Sequence, residues 1–446
     1  MGMENRYDKY KDSGIAWIGE IPEHWEVKRL KFSCNIFGRI GFRGYKSDDL
    51  FSEGNGAITL SPSNMKDMKI DYTNRTYLSW EKYYESPEII ISNNDILMVK
   101  TGSTYGKCSF VDNIPMECTI NPQIVVFKQH KDYPKFLAYS FQTEATRAFI
   151  ETSVVGGTIP TISQEKIMNY FFVFPPISEQ QSIATYLDQK CSEIDELITL
   201  QEEMITKLQS YKQSVITEAV TKGLNKNVPL KDSGIKWIGE IPEHWEVKRL
   251  KFSCNVFGRI GFRGYRSDDL VSEGNGAITL SPSNMKDMKM DYTNRTYLSW
   301  EKYYESPEIM ISNNDILMVK TGSTYGKCSF VDNIPMECTI NPQIVVFKQH
   351  KDYPKFLAYS FQTKATRAFV ETSVVGGTIP TIAQEKIMNY FFAFPPLAEQ
   401  QSIANYLDQK CSEIDELISI KQQKIEKLKD YKKSLIFECV TGKRKV

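Results

Sequence analysis

TGSTYGKC, Thr101 to Cys108, carries the glycines, hydroxyls and lysine of a phosphate-binding loop. That loop needs four residues between its glycines and a Ser or Thr after the lysine for magnesium. Here three residues separate Gly102 from Gly106, and Cys108 stands in the hydroxyl position, so the segment is not a nucleotide site. An amino-methyltransferase would need Asn or Asp, two prolines and an aromatic in a row. Asn121-Pro122-Gln123-Ile124 lacks the second proline and the aromatic. No glycine-rich dinucleotide turn follows a strand-like run. His24 and His130 have no nucleophile or paired carboxylate at telling spacing, and read as surface or loop residues. Nine cysteines are scattered without a Cys-x-x-Cys pair or clustering with the four histidines. That pattern gives neither a zinc site nor a disulfide framework and fits a reducing compartment, with Cys439 a buried or inert thiol. No catalytic residue and no metal ligand is therefore assigned.

Binding chemistry is better represented. Lys28, Arg29, Lys31, Arg39, Arg43 and Lys46 lie between Val27 and Ser47 with no acidic residue among them. Phe32, Phe37, Phe42 and Tyr45 interleave, and Gly38, Gly41 and Gly44 loosen the backbone. Lys100 and Lys107 flank small residues whose N–H groups would be open to phosphate oxygens. The candidate DNA contacts are Arg39, Arg43, Tyr45, Lys46, Lys100, Ser103, Tyr105 and Lys107. Ser61 to Lys66 and Gly156 to Thr161 are further loops, which would equally serve to brace the fold. Lys and Arg together number 55, as do Asp and Glu, so attraction to phosphate must come from local placement rather than net charge.

The elements that position these residues come in duplicate. KDSGIAWIGEIPEHWEVKRLKFSCN from Lys11 returns as KDSGIKWIGEIPEHWEVKRLKFSCN from Lys231, an offset of 220 residues that holds without a gap. From Lys11 to Leu200 about nine positions in ten match their partners, a period too long for a solenoid. The second set of candidates is therefore Arg259, Arg263, Tyr265, Arg266, Lys320, Ser323, Tyr325 and Lys327. Short β-branched and aromatic runs such as EIIIS, DILMVK and QIVVF, separated by Gly, Asn and Pro, predict strands and turns. After Leu200 the copies diverge, QEEMITKLQS against KQQKIEKLKD.

From Ser178 to about Lys222 there is no Gly or Pro, and helical periodicity takes over. Leu187, Ile194, Leu208 and Val215 share one heptad position, with Gln201 as its polar member. Leu197, Met204 and Tyr211 share a second, beside Ile198 and Ile205. Leu407, Ile414, Leu428 and Leu435 repeat the first, with Lys421 at the polar place. Ser178-Glu179-Gln180-Gln181 predicts a capping box, weakened by Ala398 in the second copy. Gly223 and Pro229 end the first helix. About 45 residues at 1.5 Å each make a rod of roughly 65 Å, longer than one such domain is wide. Its natural partner is its twin. With the short linker GLNKNVPL, the expected arrangement is an antiparallel pair with a domain at each end and an approximate two-fold axis.

SGIxWIGEIPEHWEVKRLK, opening each half, resembles the start of a type I restriction-modification specificity-subunit recognition domain, as does DILMVKTGSTYGKCSFV within it. GGTIPTISQEKIMNYFFVFPPISEQQSIATYLDQKCSEIDELI resembles that family's passage from recognition domain to long helix, and LQSYKQSVITEAVTK the helix's end. The resemblance covers nearly the whole chain, twice. It implies an α+β fold: two target-recognition domains (1–177 and 223–397) joined by long antiparallel coiled-coil helices (178–222 and 398–446), pseudo-two-fold symmetric. It implies a non-catalytic, cytoplasmic, DNA-reading scaffold with no membrane partner. Double-stranded DNA, two methyltransferase subunits and restriction/translocase subunits are the expected partners. S-adenosylmethionine, ATP and Mg²⁺ belong to those subunits, and this chain is expected to hold no cofactor. Family members commonly carry two dissimilar recognition domains, whereas these are near-twins. A self-contained DNA-modifying enzyme would need a catalytic motif that is absent. A coiled-coil adaptor without a nucleic-acid role would not need Lys248, Arg249, Lys251, Arg259, Arg263 and Arg266 to repeat the basic stretch.

Overall fold

The computed structural model describes residues 6–51, 54–152, 154–155, 160–375 and 380–446. Two compact units emerge, residues 1–201 with 423–446, and residues 202–422. Each is therefore built from one copy of the repeat plus a piece of both long helices.

In the first unit, DILMVK and QIVVF form the strands Ile96–Val99 and Ile124–Lys128 at the centre of a four-stranded antiparallel sheet. Asn35–Gly38 and Cys108–Phe110 are its edges, and Ile96 stands opposite Phe127. Side chains alternate across a strand, and here both faces are covered, which is why these runs are continuously apolar. Ile96, Met98, Val125 and Phe127 pack on one side with Trp25, Phe136 and Phe172. Leu97, Val99, Ile124 and Val126 pack on the other against Ile58, Leu60, Ile89 and Ile120. The latter group belongs partly to a second four-stranded sheet, in which Cys118–Ile120 runs parallel to Ala57–Leu60. The second unit repeats both sheets with the same order and register.

The long helices span Ile177–Lys222 and Leu397–Val440. In the first unit Leu435, Ile436, Cys439 and Val440 complete the same core as Ile183, Ala184 and Leu187. Asp195 pairs with Lys432 at 2.7 Å, and Arg444 lies over the Tyr186 ring, so the two segments run antiparallel. In the second unit Val215, Ile216, Ala219 and Val220 take the corresponding place, and Lys212 pairs with Asp415 at 2.7 Å.

The seam differs from the expectation in one row. Leu197, Met204 and Tyr211 are exposed, whereas Cys191 is buried and Ile198 and Ile205 are partly so. With Leu187, Ile194 and Gln201 these residues step by four and three, the a/d spacing that one partner helix covers. The capping box is also absent. The helix already begins at Ile177, so Ser178 lies inside its first turn, and the N–H groups of Glu179 and Gln180 both donate to the Pro176 carbonyl. Glu179 instead accepts from the Trp25 indole at 3.1 Å and lies 2.8 Å from His24, leaving Ala398 nothing to weaken. Gly223 and Gly442 both have positive φ at the helix ends, as a left-handed cap requires. His130 lies in the loop after Ile124–Lys128, as expected, half-buried and 3.0 Å from the Phe127 carbonyl. All nine cysteines are buried. Among the described residues no helix is long and apolar enough to cross a membrane.

Candidate nucleic-acid interface

The basic stretch does not form a continuous solvent-facing ribbon. Lys28 pairs with Asp132 at 2.8 Å over the Phe174 ring, and Arg29 reaches Asn169 and lies over Phe171. These two cations hold the strand Glu26–Arg29 against Phe171–Phe174. Arg39 must be corrected outright. It is only 4% exposed, donating to the Ile120 carbonyl, the Thr119 hydroxyl and the Arg43 carbonyl, and it lies over the Tyr45 ring. Arg259 is held identically by Ile340, Thr339, Arg263 and Tyr265. A guanidinium enters the interior only where its fork of donors is met, and burial lowers the pKa of both. These arginines fasten the loop that follows them and do not face solvent.

What they fasten stays at the surface. Arg43 reaches Glu88 at 3.4 Å and Arg263 reaches Glu308 at 3.3 Å, all four partly exposed. The half-buried Tyr45 meets the Thr59 hydroxyl at 3.3 Å, as Tyr265 meets Thr279 at 3.2 Å. Lys46 and Arg266 are exposed. Ser61 to Lys66 is a brace: Asn64 is buried and its amide donates to the carbonyls of Asp71 and Asn74. Of the Gly156 to Thr161 loop, residues 156–159 lie outside the described residues, as do 376–379.

TGSTYGKC is the turn of a β-hairpin, joining Ile96–Val99 to Cys108–Phe110. Gly102 and Gly106 have φ of +109° and +80°, which only glycine adopts cheaply. The expectation of open N–H groups holds only at the exposed tip, Ser103 and Thr104, whose N–H groups make no hydrogen bond among the described residues. The N–H groups of Gly102, Tyr105, Gly106 and Lys107 donate to Pro160, Gly102, Val99 and Thr104. Phosphate contact at this turn would thus come from side chains and the two tip N–H groups rather than from a full backbone cradle. Ser103 is exposed, Tyr105 packs partly on the core, and Lys107 is half-buried. In the second unit Ser323, Tyr325 and Lys327 line one concavity of about 330 Å³ together with Arg367 and Gln362.

Lys100 belongs to a different group. It follows the central strand and meets the end of Asn35–Gly38. A Cβ at Gly38 would stand 2.9 Å from the Gln164 amide nitrogen and 3.6 Å from the Lys100 ammonium. At Gly258 the corresponding distances to Gln384 and Lys320 are 2.5 and 3.6 Å. Burial lowers the pKa of Lys100 and Lys320, with no nearby charge contributing. Gln123 lies beside the hairpin at Gly102 and accepts a hydrogen bond from Asn121 at 3.1 Å. The amides of Gln164 and Gln123 were not anticipated. Their only sequence signal is a glutamine after Ser163 or Pro122, which reads as a helix start or a turn. The predicted residues thus form three groups: Arg43, Tyr45 and Lys46; Ser103, Tyr105 and Lys107; and Lys100, which the unanticipated Gln164 joins.

Both copies match the model of the type I restriction modification DNA specificity domain, over residues 22–209 and 242–430. The specificity subunit of the MjaVIII type I restriction enzyme of Methanocaldococcus jannaschii is 24% identical over 442 residues, covering 96% of this chain and 94% of that protein. The EcoKI specificity subunit of Escherichia coli K12 is 20% identical, covering 88% and 83%. A solved chain from work on complex assembly and conformational transition of the type I R-M system superposes with a TM-score of 0.70 at 16% identity, covering 94% of this chain and 98% of that one. The HsdS subunit of Thermoanaerobacter tengcongensis gives 0.52 at 16% identity, covering 95% and 98%.

Proposed function

Since the chain belongs to the type I restriction-modification DNA specificity family, in both halves, we propose that it reads an interrupted palindrome. It is a specificity subunit, a DNA-recognition component rather than a catalyst. Two methyltransferase subunits and restriction/translocase subunits are its proposed partners in the cytoplasm. S-adenosylmethionine, ATP and Mg²⁺ would reside on them.

The observation that carries the palindrome is the equivalence of the copies down to single side chains. Lys100 and Lys320, Ser103 and Ser323, Lys107 and Lys327, and Lys46 and Arg266 occupy matching places in their own units. Direct readout depends on the side chains offered to the groove edge, so matched surfaces select matched bases. Direction follows from the helices. Asp195 pairs with Lys432, and Lys212, the counterpart of Lys432, pairs with Asp415, the counterpart of Asp195. Within each unit the two helix segments therefore run antiparallel; with the pseudo-two-fold arrangement expected from the sequence the two reading directions would be opposed, and a dyad in a DNA-binding protein is matched by a dyad in its site. Each half would hold one methylatable adenine, on opposite strands. Arg43, Tyr45, Lys46, Lys100, Ser103, Tyr105 and Lys107, with Arg263, Tyr265, Arg266, Lys320, Ser323, Tyr325 and Lys327, are the side chains proposed to meet DNA.

Base-resolution mapping of methylated adenines in the host tests this. Two inverted copies of one short pattern, separated by unread bases, are expected. A direct repeat, or two unrelated halves, would refute it.

A further inference from the structure

Most half-buried lysines in the first unit have a counter-charge: Lys28 has Asp132, Lys128 has Asp95 and Lys135 has Asp188. Lys100 has none. Among the described residues its ammonium makes no hydrogen bond or ion pair, although burial disfavours its charge. The Gln164 amide beside it is likewise half-buried and without a hydrogen-bond partner among the described residues. Both heads lie within 4 Å of the point where Gly38 lacks a side chain, and the same three residue types recur as Lys320, Gln384 and Gly258. Neither head is sealed from solvent; the fully buried polar atoms without a hydrogen bond lie elsewhere, as at Ser33 and Tyr170. Two adjacent polar heads that no described protein group engages, open to water beside a glycine that leaves room for them, describe a surface that another molecule can complete.

The geometry points to Lys100 and Gln164, with Lys320 and Gln384 in the second copy, as a base-edge reading pair. Lys100 takes a guanine and Gln164 takes an adenine on a neighbouring base pair of each half-site. This rests on the DNA-reading function proposed above. An ammonium has only donors and suits the O6 and N7 acceptors of guanine, whereas an amide offers a donor and an acceptor and suits adenine N6 and N7. The closeness of the two heads matches a span of one or two base steps of ~3.4 Å. A lysine serving phosphate needs no such placement: it works as a flexible, exposed point charge. Half-burial beside a fixed amide costs affinity for bulk anions and gains positional selectivity.

Selection of randomised DNA duplexes by the full-length chain tests the pair. The unmutated protein is expected to enrich inverted halves, each with a guanine beside an adenine. Lys100→Met with Lys320→Met should lower discrimination at that guanine by about tenfold or more, leaving the other positions as they were. A uniform loss of affinity with a shallower salt dependence would put the ammonium on phosphate and overturn the assignment. An unchanged preference would overturn it too. Gly38→Ala with Gly258→Ala provides a second arm that removes no charge. Its methyl displaces the amide and should alter selection at the adenine, and an unaltered adenine refutes the pair even where the lysine variant folds poorly. A wild-type motif lacking guanine overturns this inference alone, whereas a wild-type chain that selects no sequence overturns the DNA-reading function itself.

Discussion

Leu435→Ala should destabilise the first unit, whose own copy of the repeat ends more than 200 residues earlier in the chain. Leu435 is 1% exposed within the core that contains Trp25, Phe136 and Leu187. Truncating a leucine at such a site costs about 3–5 kcal/mol, the transfer of its methyl groups plus the cavity they leave. For a unit of this size each kcal/mol lowers Tm by about 2–4 °C, so a fall of roughly 6–20 °C is expected. The second unit should be untouched, because its core is completed by Val215, Ile216, Ala219 and Val220 instead. Hydrogen exchange read by mass spectrometry distinguishes the two, provided the peptides differ in sequence. Peptides spanning Ser163 to Val173 and Ala383 to Ala393 differ at both ends and include buried strand residues of each core. Protection should drop in the first and hold in the second. Equal loss in both peptides, or loss only in the second, would refute the assignment of each helix end to its core.

The remaining expectations are smaller. Ala393 stands where the first unit has Val173 and lines a cavity of about 220 Å³ with Val220, Trp237 and Phe392, so Ala393→Val should stabilise the second unit by about 1 kcal/mol in thermal melts. Burial lowers the pKa of His130 and of His350 from 6.5 to about 4. A depressed folded-state pKa gives stability that is whole above pH 6.5 and lost as pH falls towards 4, so both units should weaken across that window by a few kcal/mol. His130→Asn with His350→Asn should flatten the profile, and an equally steep one would refute the cause. Ser163 caps a short helix by accepting from the Lys166 N–H, which Ala383 does not do. Ala383→Ser should therefore add about 0.5–1 kcal/mol in denaturant titrations.

The duplicated plan, the long helices and the buried strands were legible because each rests on a pattern along the chain. Identity at one offset points to a duplicated domain, and a helical period without Gly or Pro points to a long helix. Runs such as ILMV and IVVF, bounded by turn residues, point to strands covered on both faces. The second heptad row failed because periodicity names positions on a helix but not the side its neighbour takes. Cys191, Ile198 and Ile205 were as available as Leu197, Met204 and Tyr211, and only packing chose between them. The site was less legible for a related reason. A cation in sequence is a charge without a partner, and whether it meets DNA or an interior carbonyl depends on residues far along the chain. Arg39 finds Thr119 and Ile120, and Lys28 finds Asp132, so both serve the fold. Lys100 finds no partner among the described residues, and the amide that shares its place comes from Gln164. A basic stretch is thus a weak indicator of an interface. The informative residue is the polar group that folding leaves half-buried and unmatched, and its identification requires every other polar group to be paired first.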